Sequence, residues 1–211
     1  YVARVNMRPG LTIHGPDNRV ELQRAEHALK LAGEGRHVVV VSSGDPGVFA
    51  MASAVFEAVE TGPLSWRELD ITVLPGITAM LAAAARLGAP LGHDFCVINL
   101  SDNLKPWSII ETRLRLAVEA DFAMAFYNPR SKARPEGFEK ALDLLKCACE
   151  KERLIMFARA VSTPEESLHT VHLSDATPDM ADMRTMVLLG SRQTRLIPRI
   201  NAAPIVYTPR S

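Results

Sequence analysis

The chain has 211 residues, 47% of them apolar, and its 24 Lys and Arg are balanced by 24 Asp and Glu. That length holds one large domain or two small ones around a sizeable core, and a net charge of zero provides no global field to gather a polyanion such as RNA or DNA. No apolar run nears the roughly 20 residues that span a bilayer, so no membrane span is expected.

The chain opens on "YVARVNMRPG", with no methionine and no charged segment leading into an apolar one, so no secretory signal is read there. A first helix is expected over 19–32, with Gly33 and Gly35 behind it as C′ residues. A strand follows over 38–42, then the turn "SSGDPGVF" and a second helix over 46–60. Pro46 fits the first helical position and Asp45 the N-cap, so Asp45 has a structural role open to it as well as a functional one. A second strand at 71–74 runs through "LPGITAML" into an alanine-rich helix over 77–87, closed by Gly88.

"RLGAPLGHDF" is a Gly/Pro-rich connection, which places a domain boundary near Gly92, with domains over 1–92 and 93–211. The second part repeats the alternation: strands at 95–100, 122–127, 154–157, 169–173 and 185–189, with helices over 108–120 and 136–151. The fold class is α/β. Three cysteines are too few for a disulfide framework and suit a reducing compartment, taken as the cytoplasm. Cys147 and Cys149 point about 200° apart on a helix and cannot grip one ion, and His169 and His172 fall on opposite sides of a strand, so no metal site is expected.

In an open α/β sheet ligands sit beyond the carboxyl ends of the strands. "SSGDPGVF" occupies such a position, yet it is no phosphate loop. A Walker loop needs a lysine after its glycines, the Rossmann fingerprint needs G-x-G-x-x-G, and Pro46 removes a backbone N–H. A tight turn with accessible carbonyls and one acid suits a ligand with hydroxyls and positive charge, such as S-adenosylmethionine. In "PGITAMLAAAARLG", Gly76 and the small residues after it admit close approach of a ligand, or simply close helix packing.

"SSGDPGVFAMA", "LPGITA", "GHDFCVINLSDNLKPW", "AFYNPRS" and "DMRTMVLLGS" together resemble, in order and spacing, the tetrapyrrole methylases, S-adenosylmethionine-dependent enzymes of two α/β domains with an interdomain cleft. The resemblance runs from Tyr1 to about Arg210. Within that family the chain looks like the branch that methylates carbon 17 of a precorrin in cobalamin biosynthesis. The family's opening strand and G-x-G-P-G loop have no counterpart here, and the expectation is that a first segment is missing from the given chain.

The resemblance implies S-adenosylmethionine contacts at Gly44, Asp45, Val48, Thr78, Ala79, Tyr127, Asn128, Ala160, Thr185 and Met186, with S-adenosylhomocysteine as product. The implied substrate is precorrin-3B, whose ring is contracted to precorrin-4 after loss of a hydroxyl proton. A general base would assist that loss. Asp102 is the first candidate and His93 the second, with Tyr127 able to orient a hydroxyl; Asp102 also fits an Asx-type turn. Precorrins carry acetate and propionate groups, which cations can clamp, so Arg130, Lys132 and Arg134, with Ser101, are the implied substrate contacts. Arg192 and Arg195 form a second basic cluster that also fits a solvated face.

The family usually forms homodimers. Alternatives are the cobalt-precorrin-3 enzyme of the anaerobic route and a non-catalytic tetrapyrrole carrier. Relatives acting on rRNA or on a protein histidine fit the balanced charge less well.

Overall fold

The computed structural model describes residues 9–15, 21–103, 105–130 and 135–210. The chain forms two compact units, Tyr1–Thr78 and Ala79–Ser211. The division falls ahead of the Gly92 connection that composition marked. Its cause is packing: helix α3 (Ala79–Leu87) and the short strand β1 (Gly88–Ala89) lie in the second unit, where Ala83, Ala84 and Leu87 join Ala125, Met156, Leu188 and Val206 in one cluster.

In the first unit, α1 (Glu21–Gly33) and α2 (Met51–Thr61) meet through Ala25, Leu29, Ala54 and Ala58, with Trp66, Leu69 and Ile71 packed beside them. Small residues at the contact let the backbones approach closely. Gly35 stops α1: it takes φ +82, and the Arg36 N–H returns to the Leu31 carbonyl, the left-handed end that glycine adopts at little cost. The segments 38–42 and 71–74, expected as strands, are not strands. Val39 is 84% and Leu74 75% exposed, and among the described residues neither segment has a ladder partner. Branched side chains favour an extended chain, but a strand forms only against a neighbour. Helix α2 also starts later than expected, because Phe49 turns left-handed at φ 51; Ala50, not Asp45, is its N-cap.

The second unit is built on a five-stranded sheet in the order β2-β3-β6-β4-β5, namely β2 (Phe95–Asn99), β3 (Ala123–Tyr127), β4 (Leu154–Arg159), β5 (Ser167–His172) and β6 (Thr185–Leu189). Strands β2 and β3 are parallel; β6 is antiparallel to both β3 and β4, and β5 to β4. Successive side chains face opposite ways. Met124 and Phe126 of β3, Ile155 and Phe157 of β4, and Val187 and Leu189 of β6 enter a core with α4 (Trp107–Glu119) and α5 (Gly137–Ala148). The alternate residues Ala125, Met156, Ala158, Met186 and Leu188 face α3 instead.

Phe138 and Phe157 meet edge to face at 6.0 Å, and each fully buried side chain of this size contributes roughly 1.5–3 kcal/mol. Beside this lies a smaller sheet, β1-β8-β7, made with β7 (Arg195–Ile197) and β8 (Ile205–Tyr207), too short to be foreseen from periodicity. Among the described residues no helix is long and apolar enough to cross a membrane.

This topology gives the large sheet two rims. The ends of β2, β3 and β4 and the start of β6 share one, hereafter the upper rim; Arg159 pairs with Thr185 there. The starts of β2, β3 and β4 and the end of β6 share the lower rim.

Candidate functional site

In the first unit the two loops read from sequence are tied together by one side chain. The Asp45 carboxylate accepts the Gly47 N–H at 2.8 Å through Oδ1 and the Gly76 N–H at 3.0 Å through Oδ2. Asp45 therefore does not cap α2; it braces "SSGDPG" against "LPGITA". The approach is so tight that a Cβ on Gly76 would lie 2.2 Å from the Gly44 carbonyl oxygen. Gly44 has φ +66. Its main chain is exposed, Val48 is half-buried, and Thr78 is buried.

In the second unit the upper rim collects Tyr127, Asn128, Ala160, Thr185 and Met186, as strand register requires. Asn128 and Ala160 take φ 51 and 48, left-handed turns that redirect the main chain straight after β3 and β4 and cost non-glycine residues about 1–3 kcal/mol. The Ala160 N–H donates to the Arg184 carbonyl at 2.9 Å. The Tyr127 hydroxyl accepts the Met80 N–H at 3.2 Å, so it sits at the start of α3, one residue beyond Ala79.

Thr185 is already engaged. Its hydroxyl donates to Asp182 Oδ1 at 2.7 Å and accepts the Asp182 N–H at 3.0 Å, so what it offers a ligand is main chain. Asp182 also accepts Arg159 Nε at 2.7 Å and the Arg184 N–H at 2.9 Å. Burial raises the Asp182 pKa, but these donors, Thr185 first, outweigh it and hold the carboxyl below its ordinary range.

Ser101 and Asp102 follow β2 onto the same rim. Asn99 organises them: its Oδ1 accepts the Ser101 N–H at 2.9 Å and Asn128 Nδ2 at 3.2 Å, joining the loop after β2 to the loop after β3. Asn99, Arg159 and Asp182 were not read from the sequence; the signal for Asn99 was a polar residue closing an apolar strand. Arg130 is half-buried and directs Nη1 at the Pro178 carbonyl, 3.4 Å away. Lys132 and Arg134 lie outside the described residues.

His93 is parted from this group. It precedes β2 and therefore lies on the lower rim, its Nδ1 3.9 Å from Asp94 Oδ2, in a polar hollow with Asp121, Ser191 and Gln193. As a partner of Asp102 and Tyr127 it is misplaced by the length of the strand. Arg192 belongs to the lower rim as well. Its Nε donates to Glu150 at 2.7 Å and its N–H to Asp121 at 3.0 Å, and the same two carboxylates hold the buried Arg153, whose Nη1 also reaches the Gly190 carbonyl. That cluster is structural.

The upper rim thus offers main-chain groups and small side chains, the hydroxyls of Tyr127 and Ser101 and, after β2, the exposed carboxylate of Asp102. Among the described residues no three His, Cys, Asp or Glu converge as metal ligands would. The model of the tetrapyrrole (corrin/porphyrin) methylases matches residues 9–177. The chain is 50% identical over 210 residues to the precorrin-3B C(17)-methyltransferase of a Sinorhizobium species, covering 100% of this chain and 83% of that protein. It is 38% identical over 188 residues to a probable cobalt-factor III C(17)-methyltransferase of Salmonella typhimurium, covering 89% and 77%. The crystal structure of the methyltransferase CobJ superimposes with a TM-score of 0.92 at 65% identity, over 99% of this chain and 85% of that one. With the family model matching most of the chain and a relative of 50% identity matching it along its whole length, this chain belongs to the tetrapyrrole methylases.

Proposed function

We propose that the protein transfers a methyl group from S-adenosylmethionine to carbon 17 of precorrin-3B and assists the ring contraction to precorrin-4 in cobalamin biosynthesis. The observation that carries this reading is the likeness, along the whole chain, to an enzyme of that name. The relative named for the cobalt-bearing substrate is more distant, which favours the metal-free one.

The residues present fit the cofactor. The turn at Gly44 carries a carboxylate and no cation, and the positive φ at Gly44, Asn128 and Ala160 turns main chain outward beside small side chains, as suits a ligand held without phosphate. Unit by unit, the contacts we assign are Gly44, Asp45, Val48 and Thr78 in the first, and Ala79, Tyr127, Asn128, Ala160, Thr185 and Met186 in the second. Bound S-adenosylmethionine supplies an electrophilic methyl on sulfur.

Carbon 17 of the substrate forms the new C–C bond as the S–CH3 bond breaks, and the bonding pair stays on sulfur, leaving S-adenosylhomocysteine. No enzyme nucleophile is required; orientation and electrostatics do the work. Ser101, held by Asn99, and Arg130 face the substrate in this reading, with Lys132 and Arg134 as further carboxylate clamps. Asp102 accepts the proton of the ring hydroxyl, whose electron pair then drives bond migration and leaves an acetyl group.

Incubation with S-adenosylmethionine and precorrin-3B, followed by mass spectrometry, tests the reading. A product heavier by one methyl in place of hydrogen supports it; turnover of the cobalt-loaded substrate alone replaces it with the anaerobic assignment; binding of the tetrapyrrole without turnover favours a carrier. A cytoplasmic homodimer is the proposed state, checked by light scattering and cell fractionation.

A further inference from the structure

We propose that Glu166 is a positioning residue for the cofactor: it fastens the turn that carries Ala160 to the far end of α3, so that this stretch of the upper rim meets S-adenosylmethionine as one frame. The proposal rests on the function proposed above and adds to it a residue that acts through others.

The loop over 160–166 joins β4 to β5 and holds two left-handed residues, Ala160 at φ 48 and Ser162 at φ 64. Non-glycine residues keep such angles only where their surroundings impose them. Thr163 closes the first turn, donating its N–H and its hydroxyl to the Ala160 carbonyl at 3.1 and 2.8 Å. Ser162 is held by the last residue of the loop: its N–H donates to Glu166 Oε2 at 2.7 Å. The other oxygen of that carboxylate, Oε1, accepts Nε and Nη2 of Arg86 at 2.8 and 2.7 Å. One oxygen thus serves the loop and the other serves α3, whose last turn carries Arg86. These donors, the Ser162 N–H first, keep the Glu166 carboxyl below its ordinary range.

Helix α3 carries the link across the sheet. The strand order is β2-β3-β6-β4-β5, so three strand spacings, about 14 Å, separate β3 from β5. A helix of nine residues is about 13 Å long. The start of α3 is bound through the Met80 N–H to the Tyr127 hydroxyl at the end of β3, and its end through Arg86 to Glu166, just before β5. The start of β6 and the end of β4, with Thr185 and Ala160, lie between these anchors. Ala83, Ala84 and Leu87 pack the helix onto β3, β4 and β6. Such apolar packing is non-directional; the polar anchors fix where along the rim the helix stops.

Glu165 supplies the comparison. It carries the same charge one residue away, yet its carboxylate pairs with Arg184 through side chains alone. A general attraction of acids for the sulfonium would involve both glutamates, whereas a frame involves Glu166.

The test is calorimetric titration of wild type, Glu166→Gln, Arg86→Gln, the double variant and Glu165→Gln with S-adenosylhomocysteine. Glu166→Gln retains an acceptor for the Ser162 N–H and loses the charge that holds Arg86. A hydrogen bond to a charged group is worth roughly tenfold in an equilibrium constant at its weaker limit. Affinity should fall by about that factor in each single variant of the pair, and by no more in the double variant, since both remove the same link. Glu165→Gln should stay within about twofold of wild type, and the KM for precorrin-3B should stay near the wild-type value throughout. Melting temperatures should hardly move, as for exposed ion pairs in general. Additive losses in the double variant overturn the frame, as does an equal loss in Glu165→Gln. Arg86 is exposed, so its variant keeps the test readable if Glu166→Gln folds poorly; unchanged affinity there overturns the frame by itself.

The same proteins separate this proposal from the functional reading. Wild type that binds S-adenosylhomocysteine but never methylates precorrin-3B, with the variants weakened as stated, leaves the frame standing and removes the assigned reaction. Wild type that methylates precorrin-3B while the Glu166 and Arg86 variants bind as tightly removes the frame and leaves the reaction.

Discussion

The carboxylate of Asp45 holds the N–H of Gly76 at 3.0 Å across a sequence separation of 31 residues, so one side chain sets the distance between the two loops of the first unit. Asp45→Asn retains a single acceptor and cannot serve both Gly47 and Gly76. A charge-assisted bond is worth about 1.5–3 kcal/mol, and we expect S-adenosylhomocysteine affinity, read by calorimetry, to fall roughly tenfold with the KM for the tetrapyrrole little changed. Gly76→Ala should be worse, because its Cβ would meet the Gly44 carbonyl oxygen at 2.2 Å. Equal affinity in all three proteins would remove the brace from the argument.

Arg153 offers a second test, of stability. Its side chain is 1% exposed and binds Asp121 and Glu150, which are 29% and 47% exposed. Arg153→Met leaves two carboxylates that can partly rehydrate, so the loss belongs at the low end of that for a broken buried pair, about 3 kcal/mol. Urea midpoints measure it. Lys at this position should recover little, since one ammonium cannot serve Asp121, Glu150 and the Gly190 carbonyl together.

The same cluster predicts an acid dependence. Hydrogen bonding from Arg153 is the main reason that the Glu150 pKa falls to about 2, from an ordinary value of 4.5. A depressed carboxylate pKa stabilises the fold fully above the unfolded value, and that contribution is lost as pH falls through the folded one. Wild type should therefore lose stability from about pH 5 down towards pH 2. Glu150→Gln should start lower and show a shallower acid limb, a comparison that urea titration at stepped pH makes directly.

Tyr127→Phe removes the acceptor at the start of α3 while keeping the ring in its apolar cluster. A neutral hydrogen bond contributes about 1 kcal/mol, so the melting temperature should fall by only a few degrees. If the hydroxyl also orients substrate, kcat drops further than that loss accounts for, with KM for S-adenosylmethionine nearly constant. Equal kcat in the two proteins would assign the hydroxyl to helix capping alone.

Burial pushes the Cys96 thiol up to about 11 and raises Cys149 as well, whereas Cys147 is exposed. At pH 8 iodoacetamide should label Cys147 first and leave Cys96 until denaturant is added, since only the thiolate reacts. Peptide mapping gives the order.

Periodicity made most of the second unit legible. The residues of β3, β4 and β6 alternate between two buried faces, and α4 and α5 carry apolar stripes that match one of them. In the first unit the valines of 38–42 look equally strand-like, but propensity cannot supply a pairing partner, and none is formed among the described residues. Tyr127, Asn128, Ala160 and Thr185, which the resemblance named as cofactor contacts, fall on one rim, and the register explains why they gather: β6 runs against its neighbours, so its start meets their ends. His93 was misjudged because it lies close to Asp102 in sequence; a strand stands between them and carries them to opposite rims. Asn99 and Asp182 were missed because their role is to hold other residues, a relation that exists only after folding.

The Arg153 cluster joins the ends of α5 and β6 to the starts of β3 and β4, a full strand length from the residues assigned to chemistry. On the site proposed above, durability and turnover are housed at opposite ends of the same scaffold. If the proposed site is right, heat tolerance can be engineered around Asp121, Glu150 and Arg192 with little toll on turnover, while Asn128 and Ala160 keep their left-handed turns on the other rim.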